Sequence, residues 1–324
     1  MNQLAEKIRS IIVSYKESAE SDSIILNGKT IRIDKTAFQT ITPKTEEITI
    51  NYIDGGQAEL LKAPNFSVQA IRIFTCTYKG NKRIAQEKNY FYTIITATGE
   101  NNITYKTEII GEKKQLLKEA DLTMASTDST IRTGTERAEI SRMGNVARRF
   151  TELATAAHVA GEVDYVMIDG TLEQTLTNEN SYLKKLPKNV CALAKTSTIF
   201  TTTGNAATAA LDELSPQTAW NYPLTTEEDR TTSFVKLHQK SDRIFRFETL
   251  GNSNILPLLA AQSTDPLFLG YPYPLIWADK NARISNHEAA MLKTQLLARL
   301  GKDEKKIKKY LDATNAHDIL DSIG

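Results

Sequence analysis

The chain of 324 residues holds only two cysteines, too few for the disulfide framework of a secreted domain or for a cysteine-based zinc site. Both, Cys76 and Cys191, fall inside apolar runs, which assigns them to core packing in a reducing compartment. Neither sign of charge is in excess: 40 Lys plus Arg face 39 Asp plus Glu, a net charge of +1. A uniformly basic coat is thereby excluded, and any phosphate-binding surface has to be a local patch. No apolar stretch reaches the ~20 residues of a membrane span. The first residues, MNQLAEKIRSIIVSYKES, scatter charges where a leader peptide would stay apolar. The expectation is a cytoplasmic protein without membrane attachment. A GxxxxGK[ST] phosphate loop is also missing, so energy for movement along a polymer would have to come from another protein.

What is present is ordinary for a globular chain: 40% hydrophobic and 24% charged residues, enough to bury a sizeable core. One elaborated α/β domain with peripheral helices is expected at this length. Leu4, Ile8, Ile11, Ile12 and Tyr15 recur at helical spacing, which predicts an amphipathic helix over 2–18 whose apolar face needs a partner surface. Strands are predicted over 48–61, 66–78 and 90–98, a run suited to an antiparallel meander, and again over 103–110. Inside the first, Asp54-Gly55-Gly56 predicts a kink. Helical spacing follows over 113–124 and 135–160, the longer segment aligning Ile140, Met143, Val146, Ala147, Phe150, Leu153 and Ala154.

Two strongly apolar runs, 163–168 and 190–194, joined by a helical linker, predict central parallel strands covered on both faces. Their polar ends would share the carboxyl edge, where open α/β sheets keep their sites. The stretch with Pro216, Trp220 and Pro223 reads as an exposed loop, 243–250 as a strand, and the segment ending at Leu300 as a closing helix. The organisation expected is an N-terminal helix over 1–24, one domain over 25–300 and a charged helical tail over 301–324.

Asp54-Gly55 and Asp169-Gly170 each follow apolar residues at predicted strand ends. One Asp-Gly is ordinarily a turn. Two in adjacent central strands bring together carboxylates that repel unless a cation lies between them. A third acid is available from the long helix, where Glu152 flanks the apolar face and Glu136 and Glu139 are its rivals. Asp279, after Leu275-Ile276-Trp277-Ala278, is a fourth, or else simply caps the last helix.

Such a set supports two-metal phosphodiester hydrolysis, one cation lowering the pKa of the attacking water and the other stabilising the leaving oxygen. All-oxygen donors suit Mg²⁺ or Mn²⁺ rather than zinc. Lys195, at the end of its strand, is placed to contact the scissile phosphate. Arg148, Arg149, Arg243 and Arg246 are further phosphate-binding candidates, and Tyr271 or Tyr273 could stack on an unpaired base. Alternation in RIFRFE puts Arg243 with Phe245 and Ile244 with Arg246, so at least one of these Arg lies on a covered face. His287 reads as a surface residue.

In order, NYIDGG, VMIDGTL, ALAKTST and YPYPLIWADKNARIS resemble the motif series of the NurA nuclease family, over roughly residues 48–284. The resemblance implies a ribonuclease H-like α/β fold with a mixed sheet. It further implies manganese-dependent cleavage of single-stranded DNA, resection of duplex ends from the 5′ side, a homodimer, and partnership with a HerA-type hexameric ATPase. Carried onto matching positions, Asp54 and Asp169 become primary metal ligands and Glu152 the helix ligand. The family usually has His in the last motif, where this sequence has Asp279. Either DNA end repair or anti-phage defence would use such an activity. The second reading is a catalytically weak ribonuclease H-like adaptor that docks a DNA-translocating ATPase.

Overall fold

The computed structural model describes residues 1–18, 22–100, 102–111, 116–227, 229–251, 254–303, 306, 307 and 311. In chain order, helix α1 (Asn2–Ser18) precedes a small hairpin, β1 (Ser23–Leu26) and β2 (Lys29–Arg32), and a short strand β3 (Gln39–Thr40). Three long strands follow, β4 (Thr49–Lys62), β5 (Phe66–Lys79) and β6 (Lys82–Thr98), then β7 (Thr104–Ile110) and β8 (Thr123–Ala125). Helix α2 (Arg142–Val159) leads into β9 (Tyr165–Asp169), the one-turn α3 (Asn180–Leu183), β10 (Val190–Ala194) and α4 (Ala207–Leu214). Strands β11 (Trp220–Glu227), β12 (Arg230–Lys236) and β13 (Phe245–Leu250) precede helices α5 (Leu256–Ala261), α6 (Tyr273–Ala282) and α7 (Asn286–Leu300).

Eleven strands form one sheet in the order β3-β11-β12-β13-β10-β9-β4-β5-β6-β7-β8. At its centre β4, β5 and β6 are an antiparallel meander, β9 runs parallel to β4, and β10 runs parallel to β9. This central order, with α2 linking the meander to the parallel pair, is ribonuclease H-like. Period-two alternation divides the side chains between two cores. On one face Ile53, Ile71, Ile73 and Ile168 pack with Val146, Phe150 and Leu153 of α2. On the other, Ile50, Tyr52, Met167 and Leu193 pack with Leu275, Ala278 and Ala282 of α6. Every residue of β10 is buried, as a strand covered on both sides requires. No helix among the described residues is long and apolar enough to cross a membrane.

Several expectations need correction. Asp54-Gly55-Gly56 does not kink the chain: the β4–β5 register runs unbroken through Ile53↔Thr75, Asp54↔Phe74, Gly55↔Ile73 and Gly56↔Arg72. A Cβ at Gly55 would collide with the Glu152 carboxylate and the Arg148 side chain, and one at Gly56 with the backbone carbonyl of Ala282. These glycines therefore serve the close approach of α2 and α6 from opposite faces.

Helix α2 begins only at Arg142; ahead of it the Tyr105 hydroxyl donates to the Ala138 carbonyl (2.5 Å) and the Gln69 amide to that of Ser141 (2.7 Å). Within 113–124, residues Glu119–Leu122 form a 3-10 turn, and β8 pairs with β7 at the sheet edge. The expected loop around Trp220 is strand β11, with Trp220 fully buried against Phe38, ring centroids 5.0 Å apart. Pro223 fits there because β3 pairs only with Trp220 and Asn221, so beyond them that edge needs no donor. The expected helical linker after β9 contains only α3. The closing helix is broken in two, with the Ser285 hydroxyl capping α7. Asp279 therefore lies well inside α6 and caps nothing. Most of the predicted tail, 301–324, lies outside the described residues.

Candidate metal centre

The parallel register ends at Ile53↔Ile168, so the next residues, Asp54 and Asp169, stand side by side. Both follow residues of the α6-facing core, Tyr52 and Met167, at a spacing of two, which turns their side chains toward α6. That helix is fixed by buried Leu275 and Ala278 and delivers Asp279 to the same place. One carboxylate oxygen from each of Asp54, Asp169 and Asp279 lies within 4.8 Å of the others. The group is graded in depth: Asp54 is 8% exposed, the Asp169 side chain 14% and that of Asp279 53%. It is buried at the sheet and open on the helix side.

Electrostatics record the crowding. Burial, reinforced by Glu152 and Asp169, pushes the Asp54 pKa up to about 8. Burial also raises that of Asp169, against the pull of Lys195. Lys195, the first residue after β10, places its ammonium 2.6 Å from Asp169 and 2.9 Å from Asp279. Burial opposes its charge, but those two carboxylates outweigh burial and raise its pKa. Three oxygen-donor side chains converging in a partly desolvated spot form a group able to hold a metal ion, because a cation offsets both the burial and the mutual repulsion that favour a proton on Asp54.

A model of the NurA domain matches residues 53–284, more than half of the chain. The chain belongs to the NurA family. Its structure is similar to that of the NurA nuclease from Sulfolobus solfataricus, at 13% identity over 94% of this chain and 98% of that one, with a TM-score of 0.57. A second crystal structure of NurA aligns at 11% identity over 93% and 98% of the two chains, with a TM-score of 0.56. Identities this low show a shared fold. No curated protein matches the sequence significantly. Family membership gives nuclease as the functional class, and the matched NurA region contains all three clustered acids and Lys195.

Glu152 stands apart from that cluster. It sits on the α2 face of the NurA sheet, behind Gly55, where Arg148 donates to it (2.6 Å) and to the Gly55 carbonyl (3.2 Å). Burial raises its pKa, opposed by Arg148 and Arg149. Its rivals Glu136 and Glu139 precede α2 and are exposed, Glu139 pairing with Lys62.

Three of the four arginines are engaged by buried carboxylates, Arg148 by Glu152 as above. Arg149 bonds Glu179 (2.8 Å) and the Thr171 carbonyl (2.5 Å), clamping the loop after β9. Arg246 bonds Glu173 (2.5 Å) and Glu248. Arg243 is exposed and, with Lys195, Phe245, Phe268, Tyr271, Ile276 and Asp279, lines a cavity of about 160 Å³ beside the acids. Tyr271 offers no open face for stacking: it is buried against Phe245 at 5.0 Å between ring centroids. Burial and then the Asp169 charge raise its pKa well above the usual phenol value. Tyr273 is exposed at the start of α6, and His287 is exposed in α7. Sequence reasoning overlooked Phe268; the signal available was an apolar Leu-Phe-Leu set in a loop punctuated by Asp, Pro and Gly.

Proposed function

We propose that this protein is a metal-dependent DNA nuclease that cleaves single strands internally and digests duplex ends from the 5′ side. The observation that carries the reading is the convergence of Asp54, Asp169 and Asp279 from two adjacent strands and a facing helix. Their donor set is all oxygen, which fits Mn²⁺ or Mg²⁺. The three acids would hold the cation, and Glu152, behind Gly55 and paired with Arg148, would lend negative charge from the other face. A bound cation supplies an activated water near neutral pH and takes up charge developing on the phosphate.

The chain's own groups do the rest. Strand register fixes Asp54 and Asp169 before any ligand arrives, so little reorganisation is needed. Lys195 presents an ammonium at the open edge between Asp169 and Asp279, where it can turn to a phosphate oxygen. Arg148 keeps Glu152 oriented and partly neutralised. Arg243 adds an unpaired-face cation at the mouth, and Tyr273 an exposed ring on the same helix as Asp279.

The activity is proposed to operate in the cytoplasm, in a homodimer coupled to a HerA-type hexameric ATPase, in DNA end repair or defence against phage. Support for a partner lies in α1, where Leu4, Ile8, Ile11 and Ile12 stay 43–57% exposed, and in the missing phosphate loop. The test is degradation of end-labelled single-stranded DNA with Mn²⁺, expected to fall roughly 100-fold or more in Asp54→Asn. Undiminished cleavage by that variant would overturn the reading.

A further inference from the structure

We infer that the cavity beside the carboxylates is a nucleobase subsite: it takes one unpaired base of a single strand against Phe268, with the adjoining phosphate on Arg243. The inference rests on the nuclease reading and assigns its strand-recognition site. The walls are apolar and largely aromatic, from Phe245, Phe268, Tyr271 and Ile276, while the rim is charged, with Lys195, Arg243 and Asp279. A planar apolar ring attached to an anion matches both parts at once. A free anion would leave the aromatic wall unused, and a neutral apolar ligand would leave Arg243 unmatched.

Size narrows the occupant. About 160 Å³ is well below the ~300–1,000 Å³ of pockets for drug-sized ligands. One ring system fits and a stacked base pair does not. Phe268 is 46% exposed and its neighbour Leu267 85%, which leaves the Phe268 ring accessible to a base.

The loop that carries Phe268 is preorganised relative to Arg243. The Ser241 hydroxyl donates to the Leu269 carbonyl (2.9 Å) and accepts from the Arg243 backbone N–H (3.1 Å), tying the two segments together. Gly270, at φ +91°, permits that approach, since a Cβ there would strike Ser241. Asp265 accepts the Leu267 N–H on its side chain (2.9 Å) and the Phe268 N–H on its carbonyl (3.2 Å). Tyr271 closes the connection, donating its N–H to the Phe268 carbonyl (3.0 Å) while its phenol lies beside Asp169. A base seated in the cavity thus has its phosphate next to the acids.

The test uses full-length Asp54→Asn protein, expected to hold DNA without cutting it, and a single-stranded oligonucleotide carrying 2-aminopurine, whose emission is quenched by stacking. Phe268→Leu, added to that background, keeps an apolar wall and loses the flat ring; Phe268→Trp keeps both. The expected result is single-strand binding weakened roughly 10-fold or more in the Leu variant, with the quenching lost. Binding of a blunt duplex of equal length should stay unchanged, and the Trp variant should behave like its parent. Equal affinity and quenching in the Leu variant, or parallel loss on duplex DNA, would overturn the subsite. Failure of the parent to bind either DNA, together with no Mn²⁺-dependent cleavage by the wild type, would instead overturn the nuclease reading and the subsite with it.

Discussion

At Asp54, burial and neighbouring carboxylates push the pKa from 3.8 to about 8, so the metal-free folded chain retains a proton that the unfolded chain has released. Between those values the folded state binds more protons, and stability falls as pH rises through the window. Asp54→Asn removes this cost and is expected to be more stable than the wild type at pH 8 in chelator, by about 1 kcal/mol or more, the equivalent of one pKa unit. Thermal melts in EDTA at pH 5 and pH 8 check it, and a gap that fails to widen at the higher pH would refute it. Arg148→Ala acts in the opposite direction. It leaves the buried Glu152 carboxylate unpaired, at a cost on the order of 3 kcal/mol in urea unfolding, much of which Glu152→Gln should restore. At this scale Asp54 and Asp169 were legible because each closes an apolar run with Asp-Gly. Glu152 was not fully so, since helical spacing cannot say that Gly55 opens a slot for it on the face opposite Asp54. Nor could the sequence show that Glu179, Glu173 and Glu248 occupy Arg149 and Arg246.

Elements position these residues through close approaches. Gly56 lets the end of α6 lie against β4, and Asp279 sits less than one turn before Ala282 in that helix. Gly56→Ala should push α6 outward, costing about 1–3 kcal/mol and carrying Asp279 away from the other two acids. Gly55→Ala should cost a similar amount by displacing Glu152 and Arg148 while leaving α6 in place. Mn²⁺ affinity separates them: the larger loss is expected in Gly56→Ala, and the reverse order would contradict the assignment of faces. The meander and the two parallel strands were readable from β-branched and apolar runs. Element ends were not, because the residues before α2 are held by partners remote in sequence, such as Tyr105 on Ala138 and Gln69 on Ser141. Trp220 was misread for the same reason: its partner Phe38 is distant in the chain.

For the whole molecule, the centre of the eleven-stranded sheet is covered by a core on each face, and the acids sit where the core packed by α6 meets solvent. Helix α1 contributes little to those cores, since its apolar residues remain exposed. Removal of residues 1–18 is therefore expected to leave the melting temperature nearly unchanged while converting the proposed dimer to a monomer by light scattering; a monomeric full-length chain would refute that role. The period of α1 was legible, its partner was not, because amphipathicity specifies a need for cover and not what provides it. The ribonuclease H-like order of the central strands likewise came from resemblance, as spacing alone gives only a mixed α/β sheet. The most direct measurement is calorimetric titration of Mn²⁺ into the wild type and into Asp54→Asn, Asp169→Asn, Asp279→Asn and Glu136→Gln. Three acids sharing one cation require each Asp variant to bind at least about 10-fold more weakly, with Glu136→Gln unchanged. Equal affinity across all five proteins would show that the cation binds elsewhere.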